Sequence, residues 1–157
     1  MKKVRVNWRN GEHGFTVVFD NNWMTCLETG KSQEMTNDEF DKFIDTLSEF
    51  ADIENLEEYE TRLVFQTTVH RFFPDHVEDR AMPMDPEKDI FLHCDRAEAF
   101  DKHYELFRKA KSDGGSAGEH ESVRPEDAIH AIRHIDGTKT EIRTIARVIK
   151  IENDITL

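Results

Sequence analysis

The first 27 residues constrain the fold more tightly than any other stretch. Val4, Val6 and Trp8 alternate with Lys3, Arg5, Asn7 and Arg9. Successive side chains of a strand point to opposite faces, so this period of two turns one apolar face inward and one charged face outward. Asn10-Gly11 follows, a pair that tolerates the positive φ angles of a tight hairpin, and Gly14 leaves room for a longer loop. Phe15, Val17 and Phe19 alternate again. Asn21-Asn22 marks a second turn, and Trp23 to Leu27 supplies a third strand. The reading is an antiparallel meander.

The pattern then changes period. Thr36 and Glu39 have the spacing of a capping box, and Phe40, Phe43, Ile44, Leu47, Phe50 and Ala51 recur at helical intervals. The helix is expected to continue or restart through Ile53, Leu56 and Tyr59. Residues 62–69 are rich in β-branched side chains and read as a strand, and 89–93 as a short one. Pro74, Pro83 and Pro86 punctuate the long connection between them. Asp95 opens a helix carrying Ala97, Phe100, Tyr104 and Phe107. Residues 111–121 hold no large apolar side chain and read as a linker. Beyond it, Ala128, Ile129, Ile132 and Ile135 suggest one helix, and Ile142, Ile145, Ala146 and Ile149 a second. The β-branched end of the second allows a strand instead. The expected fold is α+β: an antiparallel sheet of about four or five strands with two amphipathic helices, followed by a helical C-terminal tail. Its expected divisions are a domain over 1–110, a flexible linker over 111–123 and the tail over 124–157.

Charge narrows the function. The 157 residues carry 21 Lys and Arg against 33 Asp and Glu, a formal −12 that repels nucleic-acid phosphate, so direct nucleic-acid binding is not expected. Eleven Phe with two Trp and two Tyr are too many aromatics for a disordered chain. No apolar run approaches the roughly 20 residues of a membrane span. Met1-Lys2-Lys3 leads into no apolar stretch of signal-peptide type, and Cys26 and Cys94 make neither a disulfide framework nor a zinc spacing. The expectation is a cytoplasmic protein with reduced thiols and no cofactor.

The negative charge is concentrated. Between Glu34 and Glu60 stand eleven acids and one base, Lys42. Asp38, Asp41, Asp45 and Asp52 fall on one helical stripe opposite the phenylalanines, with Glu49 among them; over 14 residues the stripe would extend about 21 Å. The leading expectation is therefore a non-enzymatic acidic binding protein that modulates or inhibits a macromolecular partner. The stripe would meet a basic surface, or mimic the regular charge of a nucleic-acid backbone and block the surface that binds it. The partner is a protein with a basic face, or a second copy of the chain.

Two other patterns carry chemistry. His70, His76, His93 and Asp95 lie at strand ends and in the proline-rich connection, where a small metal-dependent enzyme would keep its ligands. His130 and His134, spaced i, i+4 on the first tail helix with Asp127 one turn before, are a second metal candidate. Lys139, Arg143, Arg147 and Lys150 form a basic stripe on the second tail helix, loosely as in a helix-turn-helix regulator. Against a phosphate-binding loop, Gly30-Lys31-Ser32 has Thr25 where the first glycine belongs. His93 and Cys94, adjacent on a strand, point to opposite faces and make no nucleophile pair.

Overall fold

A computed structural model describes residues 1–74 and 80–151. The chain divides into two compact units, Met1–Leu63 with Arg147–Leu157, and Val64–Ala146.

The first unit is built on the meander. Strands β1 (Lys2–Trp8), β2 (Phe15–Asp20), β3 (Trp23–Cys26) and β4 (Ser32–Glu34) are followed by helix α1 (Asn37–Ser48) and strand β5 (Ala51–Asn55), and the sheet order is β4-β3-β2-β1-β5. Val4 lies opposite Val17, and Val6 stands between Phe15 on β2 and Ile53 on β5. The alternation of the sequence thus becomes one continuous apolar face. Helix α1 covers it: Phe40 is 2% exposed and stacks on Phe19, ring centroids 4.5 Å apart. Val4, Val17, Phe19, Met35 and Phe40 form the buried cluster, with Ile44 and Ile53 packed against it. Asn21 and Asn22, at φ 49° and 63°, close a two-residue turn between β2 and β3. The β1–β2 connection is longer, and Gly14 is required there because a Cβ would sit 1.9 Å from the Val6 carbonyl oxygen.

The ends of α1 follow from specific side chains. The Glu39 N–H donates to Thr36 Oγ1 at 3.2 Å, and the Thr36 hydroxyl donates to Glu39 Oε1 at 3.1 Å. At the other end the Arg9 guanidinium donates to the carbonyls of Ser48 and Glu49 at 3.1 and 3.2 Å, satisfying groups a helix leaves without partners. The expected continuation past Phe50 does not occur. Ala51 and Ile53 alternate with Asp52 and Glu54 on β5, a strand period that directly follows a helical one.

The second unit contains β6 (Thr61–Phe72), α2 (Pro86–Asp89), β7 (Ile90–His93), α3 (Arg96–Gly114), β8 (Gly118–Val123), β9 (Asp127–Arg133) and β10 (Lys139–Lys150), with β6 and β10 each running across the division. Its sheet order is β7-β6-β10-β9-β8. Asp95 caps α3 by accepting from the Ala97 N–H at 2.7 Å. Ala99 and His103 on α3 are fully buried against the sheet face that carries Thr67, His130 and Thr144.

The expected α+β fold with a helical tail is overturned. The described residues are mostly β, in two five-stranded antiparallel sheets, with three helices, one of them four residues long. Where two tail helices were expected stand β9 and β10, paired in register from Lys139 opposite Arg133 to Ile145 opposite Asp127. The physical reason is that both faces of these strands carry aliphatic residues. Ile129 and Ile132, or Ile142 and Ile145, sit on opposite faces of one strand, yet three apart they imitate a helical stripe. Residues 111–114 are the last turn of α3 and 118–123 are β8, with 115–117 connecting them.

Candidate functional site

The acidic residues of the first unit lie outside. Asp38, Asp41 and Asp45 are exposed on one face of α1, Glu49 is its C-cap, and Asp52 is exposed on β5. The continuous 14-residue helical stripe is therefore corrected to a helical row ending at Glu49 and a separate strand carboxylate. Several of these acids meet bases: Lys2 Nζ lies 3.1 Å from Asp41, and Arg9 Nε 3.2 Å from Asp52. Such exposed pairs contribute at most about 1 kcal/mol each. The Lys150 ammonium pairs with Glu54, which holds its pKa up, and sits 4.1 Å from the Tyr59 ring centroid.

Beside α1 runs a groove of about 560 Å³. Val4, Phe40, Ile44 and Ile53 supply apolar atoms to it; Asp41, Asp45 and Glu57 supply carboxylates. Lys2 reaches in, its ammonium 5.8 Å from the Phe40 centroid and on Asp41. A second groove, of about 530 Å³, lies at the C-terminal end of α1 between Trp8, Glu12, Glu49 and Phe50, and Phe50 is 61% exposed.

The histidines of the second unit do something the sequence did not suggest. The Glu121 carboxylate stands 3.4 Å from His130 Nε2, directly across the β8–β9 register. With the proton of a neutral ring on Nε2, the side of that carboxylate, His130 Nδ1 is left as an acceptor. His103 Nε2 therefore donates to His130 Nδ1, at 2.6 Å. His103 Nδ1 must then accept, and the Thr144 hydroxyl donates to it at 2.9 Å. The Thr67 hydroxyl in turn donates to Thr144 Oγ1, at 2.7 Å. The buried relay thus runs Thr67, Thr144, His103, His130, with the exposed Glu121 carboxylate beside its last ring. Burial first, and the His130 ring second, push the His103 imidazole down to about 4, so the ring is neutral near pH 7. Thr144 is 1% exposed, so its hydroxyl is out of reach of a substrate, and the relay is a polar spine of the core.

His134 is held separately. Its Nδ1–H donates to the Gly115 carbonyl, and the Thr140 hydroxyl donates to its Nε2, both at 2.7 Å. A Cβ on Gly114 would lie 2.4 Å from the ring, so glycine is required there.

The remaining expected residues scatter. His130 and His134 do share a face, but of a strand and its extension, and each is bonded to different partners. His93 lies opposite Phe65 on β7, on the sheet face turned to α3, whereas His70 on β6 is on the other face. The two do not converge, Asp95 is spent on the α3 cap, and His76 lies outside the described residues. Among the described residues no group of three or more His, Cys, Asp or Glu is placed to hold a metal ion. The basic stripe is also redistributed. Lys139, Arg143 and Arg147 share one face of β10, Lys150 points to the other, and Arg143 pairs with Glu141 at 2.9 Å. Without tail helices the helix-turn-helix reading has no recognition helix.

His103, Thr67 and Thr144 went unread in the sequence. A signal existed: His103 stands between Phe100 and Phe107 at helical spacing, a titratable residue within an apolar face. Among the described residues no helix is long and apolar enough to cross a membrane. No family model, curated protein or solved structure matches the chain.

Proposed function

We propose that the protein is a non-enzymatic acidic binding protein that modulates a macromolecular partner by docking a basic, amphipathic segment of it along α1. The observation that carries this reading is the groove in which Asp41, Asp45 and Glu57 border apolar atoms of Val4, Phe40, Ile44 and Ile53. Carboxylates alone serve solubility; carboxylates beside the half-buried Ile44 and Ile53 suit a ligand with both cationic and apolar side chains. Helix stability accounts for Asp38 in the first turn, but not for Asp45 or Glu49. Asp41 and Asp45 repel at i, i+4 by a few tenths of a kcal/mol. Glu49 sits at the helix C-terminus, where the dipole disfavours an anion. Lys2 already rests on Asp41 and near Phe40, as a lysine of the partner would. A basic surface that binds nucleic acid is one partner face of this chemistry.

The test is stopped-flow association with a synthetic helical peptide bearing lysines on one face and leucines on the other. The variant Asp38→Asn/Asp41→Asn/Asp45→Asn leaves Phe40 and Ile44 untouched. At low salt it should associate on the order of tenfold more slowly than the parent, the gap closing as salt screens the charges. Equal rates at low salt would reduce the row to a solvated face.

A further inference from the structure

The second unit holds twelve basic against seventeen acidic residues, yet a cleft in it of about 790 Å³ reverses that balance. Arg71, Lys88, Lys102, Lys109 and Lys139 line it, with four acids. Three of those acids are already engaged. Asp89, only 4% exposed, accepts from Arg71 at 2.8 Å through one oxygen and from the Asp85 N–H at 2.9 Å through the other. Burial alone would raise the Asp89 carboxyl, but these bonds and the neighbouring cations outweigh it and hold the pKa below its ordinary value. Asp85 caps α2 by accepting from the Glu87 N–H, and Glu105 lies 3.6 Å from Lys102. The floor is apolar, with Met82, Phe91 and Leu106. Lys102 is held 4.6 Å from the Phe91 ring centroid, which fixes where its charge sits.

We propose that this cleft binds an organic anion carrying two separated acidic groups on an apolar body. The separation comes from α3. Lys102 and Lys109 both face the cleft seven residues apart, about 10 Å along the helix axis, too far for one phosphate or carboxylate to bridge. The apolar floor between them suits a hydrocarbon or ring spacer. The site is independent of the docking groove on α1.

The experiment is isothermal titration calorimetry of the full chain at low ionic strength with hexane-1,6-bisphosphate, suberate and hexyl phosphate. The expected result is one-to-one binding of a two-ended probe, about tenfold or more tighter than hexyl phosphate. The bisphosphate against suberate decides between phosphate and carboxylate. Lys102→Gln and Lys109→Gln should each weaken binding about fivefold or more, and Lys42→Gln on α1 should not. The proposal is overturned if neither two-ended probe binds more tightly than hexyl phosphate. It is equally overturned if the two cleft variants, with unchanged circular dichroism, bind as the parent does, or if Lys42→Gln loses as much.

Discussion

The two units differ in what lies beneath their helices, although both also bury aliphatic side chains. In the first, the cluster under α1 is Val4, Val17, Phe19, Met35 and Phe40, and most of the charge is outside. In the second, the layer between α3 and its sheet contains His103, His130, Thr67 and Thr144, joined end to end. An apolar core tolerates any partner of the right volume, because its contacts are non-directional. A hydrogen-bonded core does not, since each donor left without its acceptor costs about 1–3 kcal/mol. The first unit can therefore devote its outer face to charge without consequence inside. The second has one exposed carboxylate, Glu121, beside the end of its buried hydrogen-bonded chain.

Four perturbations sharpen this contrast. Phe40→Ala should act most strongly, costing about 3–5 kcal/mol in urea denaturation, because it empties a buried site and removes the stack on Phe19. Next comes acid. The unfolded His103 takes a proton near its ordinary pKa of about 6.5, whereas the folded ring refuses one until about 4. Between those values the unfolded chain binds more protons. Stability from this group is thus present above about pH 6.5 and lost as pH falls, by up to about 3 kcal/mol. Comparing the pH dependence of the parent with that of His103→Leu isolates the effect, and an identical acid limb in both would contradict it. Thr144→Val, nearly isosteric, should cost about 2 kcal/mol because it orphans both Thr67 and His103 Nδ1, while Thr144→Ser should retain most of it. Arg9→Ala should be the mildest, about 0.5–1 kcal/mol, through the two carbonyls it leaves unsatisfied at the end of α1.

The same contrast explains what could be read in advance. β1, β2, the Asn21-Asn22 turn and the Thr36 cap were legible because their apolar residues fall mainly on one face and their turn residues are distinctive. β9 and β10 were not. The buried face of β10 reads Thr140, Ile142, Thr144, Ala146 and Val148, and its other face includes Ile145 and Ile149. Threonines inside and isoleucines on both faces erase the polar–apolar alternation that marks a strand. The acids of α1 were legible as a row, but the groove beside them was not, because Ile53 comes from a strand hidden behind an apparent helical continuation. The relay was illegible for a different reason: its buried members lie 27 to 77 residues apart in adjacent links.

The claim that α1 and its groove form a docking face is tested most directly by mapping the bound peptide on the protein. Titrating the lysine–leucine helix into isotopically labelled protein should shift amide resonances of α1 and β5, residues 37–57, above all around Asp41, Ile44, Asp45 and Ile53. The Asp38→Asn/Asp41→Asn/Asp45→Asn variant should weaken those shifts at the same peptide concentration. Shifts that leave residues 37–57 unmoved, or that persist undiminished in the variant, would contradict the account.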